Sequence, residues 1–312
     1  MSAITRLGLS KYKPTAPVSE AQDQTGSAFG YQWGRRDSYE SANVERFARE
    51  WLLRRYCSND ESVLSEWLSG SGKIIIDAGC GAGYSALALF GALLNEHDYL
   101  GVDISGAVDV ARSRFAEQNV RGDFLRASFT DLPIQEAAVD IIFAEGVLHH
   151  TDNTAASLVY LSRFLKPGGK FLFYVYARKA PIREFTDARI RSWLAKYTDE
   201  EAWRQLYPLT KLGIELGKAA VTIEVPEDIP YLGITKGSYD LQRLFYWKIC
   251  KAFYRPEFSF EEMNHLNYDW FRPLNNQTHT PEEVREMCER ASLVIDRMAV
   301  EEAGITVVAS KR

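Results

Sequence analysis

The stretch that most constrains this chain is a run of three isoleucines followed by an aspartate and a glycine cluster, Ile74-Ile75-Ile76-Asp77-Ala78-Gly79-Cys80-Gly81-Ala82-Gly83. Short, unbroken β-branched runs are typical of strands buried on both faces, as in the middle of a parallel sheet. The glycines permit a sharp turn and a close approach of backbone to a ligand, and the apolar residues from Tyr84 to Leu94 predict a helix. The stretch therefore predicts a strand, a tight loop and a helix N-terminus, a unit that suits a nucleotide-like ligand.

The distance in sequence between this unit and the acidic residue Asp103 indicates the class of ligand. Asp103 stands twenty residues after Gly83, near the end of the strand-like run from Tyr99 to Ile104. In nucleotide-binding sheets of this type, an acid at that position accepts hydrogen bonds from ribose hydroxyls. Dinucleotide folds usually space their glycines as Gly-x-Gly-x-x-Gly, whereas the third glycine here comes one residue earlier. The sequence therefore predicts a nucleoside cofactor, with a spacing that argues against a dinucleotide.

The glycine loop resembles the first motif of the class I S-adenosylmethionine-dependent methyltransferases. Three further stretches agree with this resemblance: Asp103 with the ribose-binding acid, Asp140 to His150 with the fourth strand and its exit loop, and Leu165 to Lys170 with the turn before strand five. The resemblance covers roughly residues 70 to 177 and the last thirty or so. It implies S-adenosyl-L-methionine as cofactor, S-adenosyl-L-homocysteine as product, and methyl transfer as the activity.

Strand-like and helix-like segments alternate between residues 73 and 177, which predicts a parallel sheet with helices on both faces. With the resemblance, the expected fold is α/β, a doubly wound Rossmann-like sheet of about seven strands with a reversed last strand, plus an N-terminal helical cap and a helical insert after strand five. The expected division is residues 1–70 as N-terminal tail and helical cap, 71–177 as cofactor-binding core, 178–275 as helical substrate lid, and 276–312 as the C-terminal helix and strand pair. Residues 1 to about 27 are expected to be loosely ordered unless a ligand or partner holds them.

Composition narrows the class of partner. The 312 residues carry 37 basic and 42 acidic side chains and a net charge of −5, so no nucleic-acid partner is expected and a small-molecule acceptor is favoured. The four cysteines form no CxxC pair or short Cys/His cluster, which predicts no metal site and reduced thiols in a cytoplasmic protein. No stretch reaches eighteen apolar residues, so no membrane insertion is expected. Homo-oligomerisation stays open.

The resemblance places the cofactor-binding residues near the carboxyl ends of the predicted strands. They are Asp77, Gly79, Cys80, Gly81, Gly83, Asp103, Ser128, Phe129 and Glu145. Ser128 departs from the commonest family pattern, in which an acid at this position contacts the adenine amino group. A serine brings no charge, so the adenine is expected to be held by the backbone near Phe129 and by ring packing.

An N-terminal segment rich in aromatic residues has two interpretations. In the first, one of three residues folds over the cofactor: Tyr31, Trp33 or Arg36. An arginine can pair with the carboxylate of the cofactor, and aromatic faces suit its sulfonium. The alternative is a helical cap that only covers a sheet edge.

Candidates for a catalytic base follow from the acceptor chemistry, because a hydroxyl acceptor usually needs a base whereas an amine or thiolate does not. They are His150, Glu145 and His265, with Asp269 as a further candidate. For His150 the alternative is a structural role in its loop, and for Glu145 it is holding substrate or ordering water. Predicted acceptor contacts are His149, Tyr268, Trp270 and Arg272; alternatively, Asp269 and Arg272 form a surface ion pair.

The leading hypothesis is a methyltransferase acting on a small metabolite, sugar or lipid intermediate. One alternative is a non-catalytic subunit that binds S-adenosylmethionine. A second is a nicotinamide-dependent oxidoreductase, which the glycine spacing opposes. A modified cofactor analogue stays open as well, because Arg35 or Arg36 could recognise an additional carboxylate.

Overall fold

A computed structural model of the chain describes residues 2–13 and 18–312. Its helices are α1 (Ala3–Arg6), α2 (Glu20–Gly34), α3 (Ala42–Cys57), α4 (Ser62–Trp67), α5 (Tyr84–Phe90), α6 (Ala107–Glu117), α7 (Thr154–Ser162), α8 (Pro181–Leu194), α9 (Asp199–Gln205), α10 (Tyr207–Ala219), α11 (Leu241–Lys248), α12 (Phe260–Phe271) and α13 (Pro281–Arg290). Its strands are β1 (Ile74–Ala78), β2 (Asp98–Asp103), β3 (Asp123–Arg126), β4 (Val139–Ala144), β5 (Leu165–Tyr176), β6 (Thr222–Val225), β7 (Gly237–Asp240), β8 (Leu293–Val300) and β9 (Gly304–Lys311).

The chain divides into two compact units. The first consists of the residues up to Gly34, Glu45–Ala177 and Asn275–Arg312, and the second consists of Arg35–Val44 and Arg178–Leu274. Across the described ranges, no helix has both the length and the apolar character that a bilayer span requires.

The first unit is built on a seven-stranded sheet with the order β3-β2-β1-β4-β5-β9-β8. Strands β1 to β5 pair in parallel, whereas β9 runs antiparallel to both β5 and β8. Parallel neighbours require crossover connections, which here carry helices on both faces of the sheet. The predicted Rossmann-like sheet with a reversed last strand is therefore confirmed.

The isoleucine run explains how β1 becomes an interior strand of this sheet. Ile74 and Ile76 point into one apolar layer, together with residues of α7 and α13, and Ile75 points into the opposite layer with residues of α3, α5 and α6. Because successive side chains of a strand face opposite sides, an unbroken apolar run supplies both layers at once. Burial of each isoleucine contributes about 1.5–3 kcal/mol.

The N-terminal region is more ordered than the sequence predicts. Ala3, Leu7 and Leu9 are buried in the core of the first unit, and the backbone nitrogen of Ile4 donates to a carboxylate oxygen of Asp123 at 2.9 Å. The expectation that residues 1 to about 27 are loosely ordered is therefore wrong for α1 and for the start of α2. Met1 and residues 14–17 lie outside the described residues.

The C-terminal segment returns to the sheet. Thr280 and Glu283 form a capping box, in which the Thr280 hydroxyl accepts from the Glu283 nitrogen and the Glu283 carboxylate accepts from the Thr280 nitrogen. This starts α13 as the sequence predicts. Strand β9 then pairs with β5 from Lys170–Ser310 to Tyr176–Gly304.

The second unit contains α8 to α12 and the antiparallel hairpin of β6 and β7. The insert is therefore mainly helical but not entirely so. Three fully buried polar residues link α10 and α12: the Thr210 hydroxyl donates to Asn264 Oδ1 at 2.7 Å and accepts from Asn267 Nδ2 at 2.9 Å. Such a satisfied polar network fixes the register of the two helices.

Candidate functional site

The glycine loop connects β1 to α5 and is anchored on β2. The backbone nitrogens of Gly79 and Cys80 both donate to the Val102 carbonyl, at 2.7 and 3.1 Å. Gly79 and Gly81 adopt positive φ angles of 73° and 49°, which side chains disfavour. The loop is therefore held in one conformation by its neighbouring strand.

Close neighbours exclude side chains from two of these glycines. A Cβ atom on Gly79 would lie 2.1 Å from Val147 Cγ2, and a Cβ atom on Gly81 would lie 2.8 Å from Trp33 Nε1. The Trp33 indole on α2 therefore contacts the glycine loop directly. Bare backbone is therefore required at both positions.

Asp103, at the carboxyl end of β2, ties the loop to the next strand. Its Oδ2 accepts from the Gly81 nitrogen at 2.9 Å, and its Oδ1 accepts from the Ser105 nitrogen at 2.8 Å. Burial raises the pKa of this carboxyl group, while these hydrogen bonds oppose the rise. Each carboxylate oxygen has a second lone pair, so the group can also accept from a hydroxyl.

Asp77, on β1, lies below the loop. The Tyr99 hydroxyl donates to its Oδ2 at 2.6 Å, and burial raises the pKa of Asp77 to about 7. Loss of hydration on burial raises the pKa of Asp77, and the hydrogen bond from Tyr99, which favours the ionised carboxylate, lowers it by less. Near neutral pH, Asp77 is therefore poised between its two protonation states.

A cavity of about 370 Å³ opens beside the loop, within the first unit. Five residues singled out in the sequence border it or reach its edge: Gly79, Asp103, Ser128, Phe129 and His150. The remaining wall includes α2, which contributes Gln22, Thr25, Gly26 and Phe29. The contribution of α2 between Gln22 and Gly26 is not predicted by the sequence, because that stretch has no apolar periodicity.

Two of the lining residues sit in short turns. Ser128 Oγ accepts from the Thr130 nitrogen at 3.3 Å and is 2.8 Å from Thr130 Oγ1. His150 Nδ1 lies 2.6 Å from the Asn275 carbonyl oxygen, which can only accept, so Nδ1 carries the proton and the neutral ring has its lone pair on Nε2. The structure thus fixes the tautomer of His150.

The ring of His149 points elsewhere. It is fully buried and lies 3.8 Å from the Tyr176 ring, centroid to centroid. The His149 carbonyl accepts from the Gln277 nitrogen at 2.9 Å. These contacts support the loop, and the role of His149 as an acceptor contact stays a prediction.

Glu145 forms a buried cluster that the sequence does not predict. The Arg55 guanidinium lies 3.2 Å from Glu145 Oε1, and the Tyr56 hydroxyl donates to Oε2. Burial raises the pKa of Glu145, and the adjacent Arg55 opposes this. Arg55 also donates to the Thr306 hydroxyl at 2.7 Å and lies over the rings of Trp51 and Tyr174. In the sequence Arg54-Arg55-Tyr56, helical periodicity alone does not mark Arg55 as a core residue.

The remaining N-terminal candidates differ in their surroundings. Tyr31 lies on α2, half-buried like Trp33. Arg36 belongs to the second unit, where its Nε donates to Glu40 Oε1 at 2.7 Å. Cys80 is buried in the loop and Gly83 caps the start of α5.

The predicted acceptor residues of the second unit lie on or next to α12 and bind other residues of that unit. His265 Nδ1 is 2.8 Å from the Ser38 hydroxyl, and burial lowers its pKa to about 4. The Tyr268 hydroxyl and Arg272 Nε both donate to Asp199 Oδ1, at 3.1 and 2.7 Å. The proposed surface pairing of Arg272 with Asp269 is therefore wrong, because Arg272 is buried and its ion pair is with Asp199.

Trp270 also has a specific partner. Its indole nitrogen donates to Asp187 Oδ2 at 2.7 Å, and Asp187 accepts from Arg183 through both oxygens at 2.8 Å. As for metal binding, the described ranges 2–13 and 18–312 contain no cluster of three or more His, Cys, Asp or Glu side chains that could hold an ion.

Comparison with known proteins agrees with this geometry. Residues 76–173 match the family model described as a methyltransferase domain. Malonyl-(acyl-carrier protein) O-methyltransferase of Serratia marcescens is 32% identical over 131 residues, which are 41% of this chain and 48% of that protein. The tRNA U34 carboxymethyltransferase of Methylococcus capsulatus is 32% identical over 109 residues, which are 33% of this chain and 32% of that protein. The chain thus spans less than half the length of these two relatives.

A solved structure extends the likeness to the whole fold. The magnesium protoporphyrin IX methyltransferase of Synechocystis PCC 6803, with bound S-adenosylmethionine, superposes with a TM-score of 0.50 at 12% identity, covering 96% of this chain and 100% of that one. Likeness at this identity concerns the fold, and the matched domain model covers residues 76–173. These residues of the chain are therefore a methyltransferase domain, and their glycine loop resembles the first motif of the class I S-adenosylmethionine-dependent methyltransferases.

Proposed function

We propose that the protein transfers a methyl group from S-adenosylmethionine to a small-molecule acceptor. The observation that carries this proposal is the conjunction, within one unit, of the glycine loop, the Asp103 carboxylate hydrogen-bonded to it, and the adjoining cavity of about 370 Å³. A nucleoside needs the same three features: a bare loop that a ligand can approach closely, an acceptor for sugar hydroxyls, and a cavity beside them.

The residues present fit this cofactor. A side chain on Gly79 or Gly81 would collide with its neighbours, so the loop stays bare, and the Asp103 oxygens retain acceptor capacity beyond their two backbone partners. In the proposed assignment Asp103 holds the ribose hydroxyls, and Ser128 and Phe129 border the base. When bound, S-adenosylmethionine supplies an electrophilic methyl group on a positively charged sulfur. The protein contributes orientation and exclusion of water, of which orientation alone is worth roughly 7–11 kcal/mol.

His150 is the proposed base for a hydroxyl acceptor. It borders the cavity, and its hydrogen bond to the Asn275 carbonyl leaves the lone pair on Nε2, so the neutral ring can take a proton at that atom. Glu145 is proposed to position its neighbours, since Arg55 and Tyr56 already bind its two oxygens. His265, with a pKa of about 4, is neutral at physiological pH and a weak base.

A small-molecule acceptor is supported by charge and by relatives' names. The net charge of −5 does not favour a polyphosphate substrate. Two similar proteins are named for acceptors that are not nucleic acids, a malonyl-acyl carrier protein and magnesium protoporphyrin IX. A third is named for tRNA, so transfer RNA must be included among the acceptors that are tested.

The cofactor assignment is tested by calorimetric titration with S-adenosylhomocysteine. Asp103→Ala removes the proposed ribose acceptor and should weaken binding at least about tenfold, since a hydrogen bond to a charged group contributes about 1.5–3 kcal/mol. Gly81→Arg should abolish binding by filling the loop. Asp109→Ala, at an exposed aspartate of α6, is the matched control and should bind normally. Unchanged affinity in both loop variants would contradict the assignment.

Turnover is tested separately with labelled S-adenosylmethionine and panels of carboxylic acids, phenols, amines and transfer RNA. Labelled product from a small molecule, lost in the Gly81→Arg variant, is the expected result. Normal cofactor binding without transfer to any acceptor would favour a non-catalytic binding subunit.

A further inference from the structure

The second unit places three cationic side chains around one indole ring, two of them buried and the third, Lys179, half-buried. The charged groups of Lys251, Lys179 and Arg183 lie 4.8, 5.6 and 5.3 Å from the centroid of the Trp270 ring. Each distance is within the range of a cation–π interaction. Such a concentration of positive charge in a buried place is unusual, because loss of hydration penalises every ammonium group.

The carboxylate of Asp187 lies within this cluster, but it neutralises only one of the cations. Asp187 accepts from Arg183 through both oxygens and also from the Trp270 indole nitrogen. Asp187 and Arg183 therefore form one complete ion pair. Lys251 therefore lies beside an ion pair that is already complete.

Lys251 is the member of the cluster that lacks a direct partner. Its side chain belongs to a residue only 7% exposed, and in the part of the chain that the structure describes no hydrogen-bond acceptor or ion-pair carboxylate meets its ammonium group. The carboxylates of Asp269 and Asp187 attract it from a distance and Arg183 repels it, and burial lowers its pKa to about 8. Lys251 Nζ is not among the fully buried side-chain atoms of the described residues that lack a hydrogen-bond partner, so the ammonium group keeps some contact with solvent. A largely dehydrated ammonium group without a direct counter-ion suits an anionic ligand that supplies the opposite charge.

The surroundings indicate what else the ligand contains. Tyr246 and Trp247 are half-buried and contact each other edge to face at 4.6 Å, and Lys179 Nζ is 5.8 Å from the Trp247 ring. Aromatic faces beside cationic groups suit a flat apolar body that carries an acidic group.

We propose that the second unit binds an organic anion, with Lys251 contacting a carboxylate or phosphate and the neighbouring aromatic rings contacting the body of the ligand. Identification of this ligand as the methyl acceptor rests on the proposed function, whereas the anion site itself does not. The acceptor class would then be an aromatic or otherwise flat acid rather than a neutral or cationic molecule.

The test measures dissociation constants of benzoate, phenyl phosphate and the uncharged benzamide by ligand-observed NMR. The native protein should bind at least one of the two anions about tenfold or more tightly than benzamide, and Lys251→Met should abolish that preference. The benzoate and phenyl phosphate arms distinguish a carboxylate from a phosphate. Lys251→Arg should keep the preference, and Lys211→Met, at an exposed lysine of α10, should not alter it.

A thermal melt of the same variants separates a ligand contact from a structural role. Removal of a largely dehydrated ammonium group that has no direct counter-ion should leave the midpoint of Lys251→Met unchanged or raise it. A lowered midpoint, an anion preference retained by Lys251→Met, or no anion preference in the native protein each overturns the proposal. Binding of S-adenosylhomocysteine is titrated in parallel. Its absence together with an intact anion preference would remove the proposed function and leave the anion site standing.

Discussion

Asp77 offers a quantitative test of the electrostatics below the glycine loop. Burial raises its pKa from 3.8 to about 7, so the folded protein holds a proton on Asp77 that the unfolded chain releases near pH 4. The folded state therefore binds more protons between these values. Stability contributed by this group is full at low pH and is lost as the pH rises through about 7.

The magnitude follows from the size of the shift. Well between the two pKa values, the free energy of unfolding should fall by about 1.4 kcal/mol per pH unit through this group alone, and the slope should halve at about pH 7. Asp77→Asn keeps the shape and the acceptor for the Tyr99 hydroxyl but does not ionise. The difference in unfolding free energy between native protein and variant should therefore change by about 2 kcal/mol between pH 5 and pH 7 in favour of the variant, and level off above about pH 8.

The assay is urea unfolding of both proteins at several pH values, with Asp109→Asn as the control at an exposed aspartate. Subtraction of the two curves removes the titration of groups that the substitution does not affect. A difference that is independent of pH, or one that changes only near pH 4, would refute the assignment of Asp77 as a carboxyl group with a raised pKa.

Two further predictions concern stability. Gly79→Ala should destabilise the protein by about 2–5 kcal/mol, because it combines a positive φ angle with a contact of 2.1 Å to Val147 Cγ2. A second substitution, Val147→Ala, should restore only part of this stability, since Val147 Cβ stays 2.6 Å away. Complete rescue, measured by chemical unfolding, would contradict the steric account. Thr210→Val should cost about 2–4 kcal/mol by leaving Asn264 and Asn267 without their shared hydroxyl; an unchanged thermal midpoint would show that the network adds little.

The parts of the fold that were predicted from sequence depend on local patterns. The isoleucine run, the glycine spacing and the capping box at Thr280 each specify backbone conformation within a few residues. Asp103 was found because its distance from the loop is fixed by one helix and one strand. These features sufficed for the sheet and for one edge of the candidate site.

The parts that were missed depend on contacts between residues far apart in the chain. Arg55 meets Glu145, and Arg272 meets Asp199, through folding that brings distant helices and strands together. Neither ion pair produces a periodic pattern in the sequence, and the sequence alone does not distinguish a buried, paired arginine from an exposed one. The order of α1 has the same cause, because its apolar residues are few and gain their burial only from the finished sheet.

The position of β9 has a consequence for the order in which the molecule is made. Tyr176, at the end of β5, pairs with Gly304, at the start of β9, and most of the second unit, Arg178–Leu274, is encoded between them. During synthesis at about 5–20 residues per second, β5 therefore emerges many seconds before the strand that covers its edge. An uncovered strand edge is a template for pairing with other chains. The nascent protein is most vulnerable to aggregation in that interval, while the ribosome is still translating the second unit.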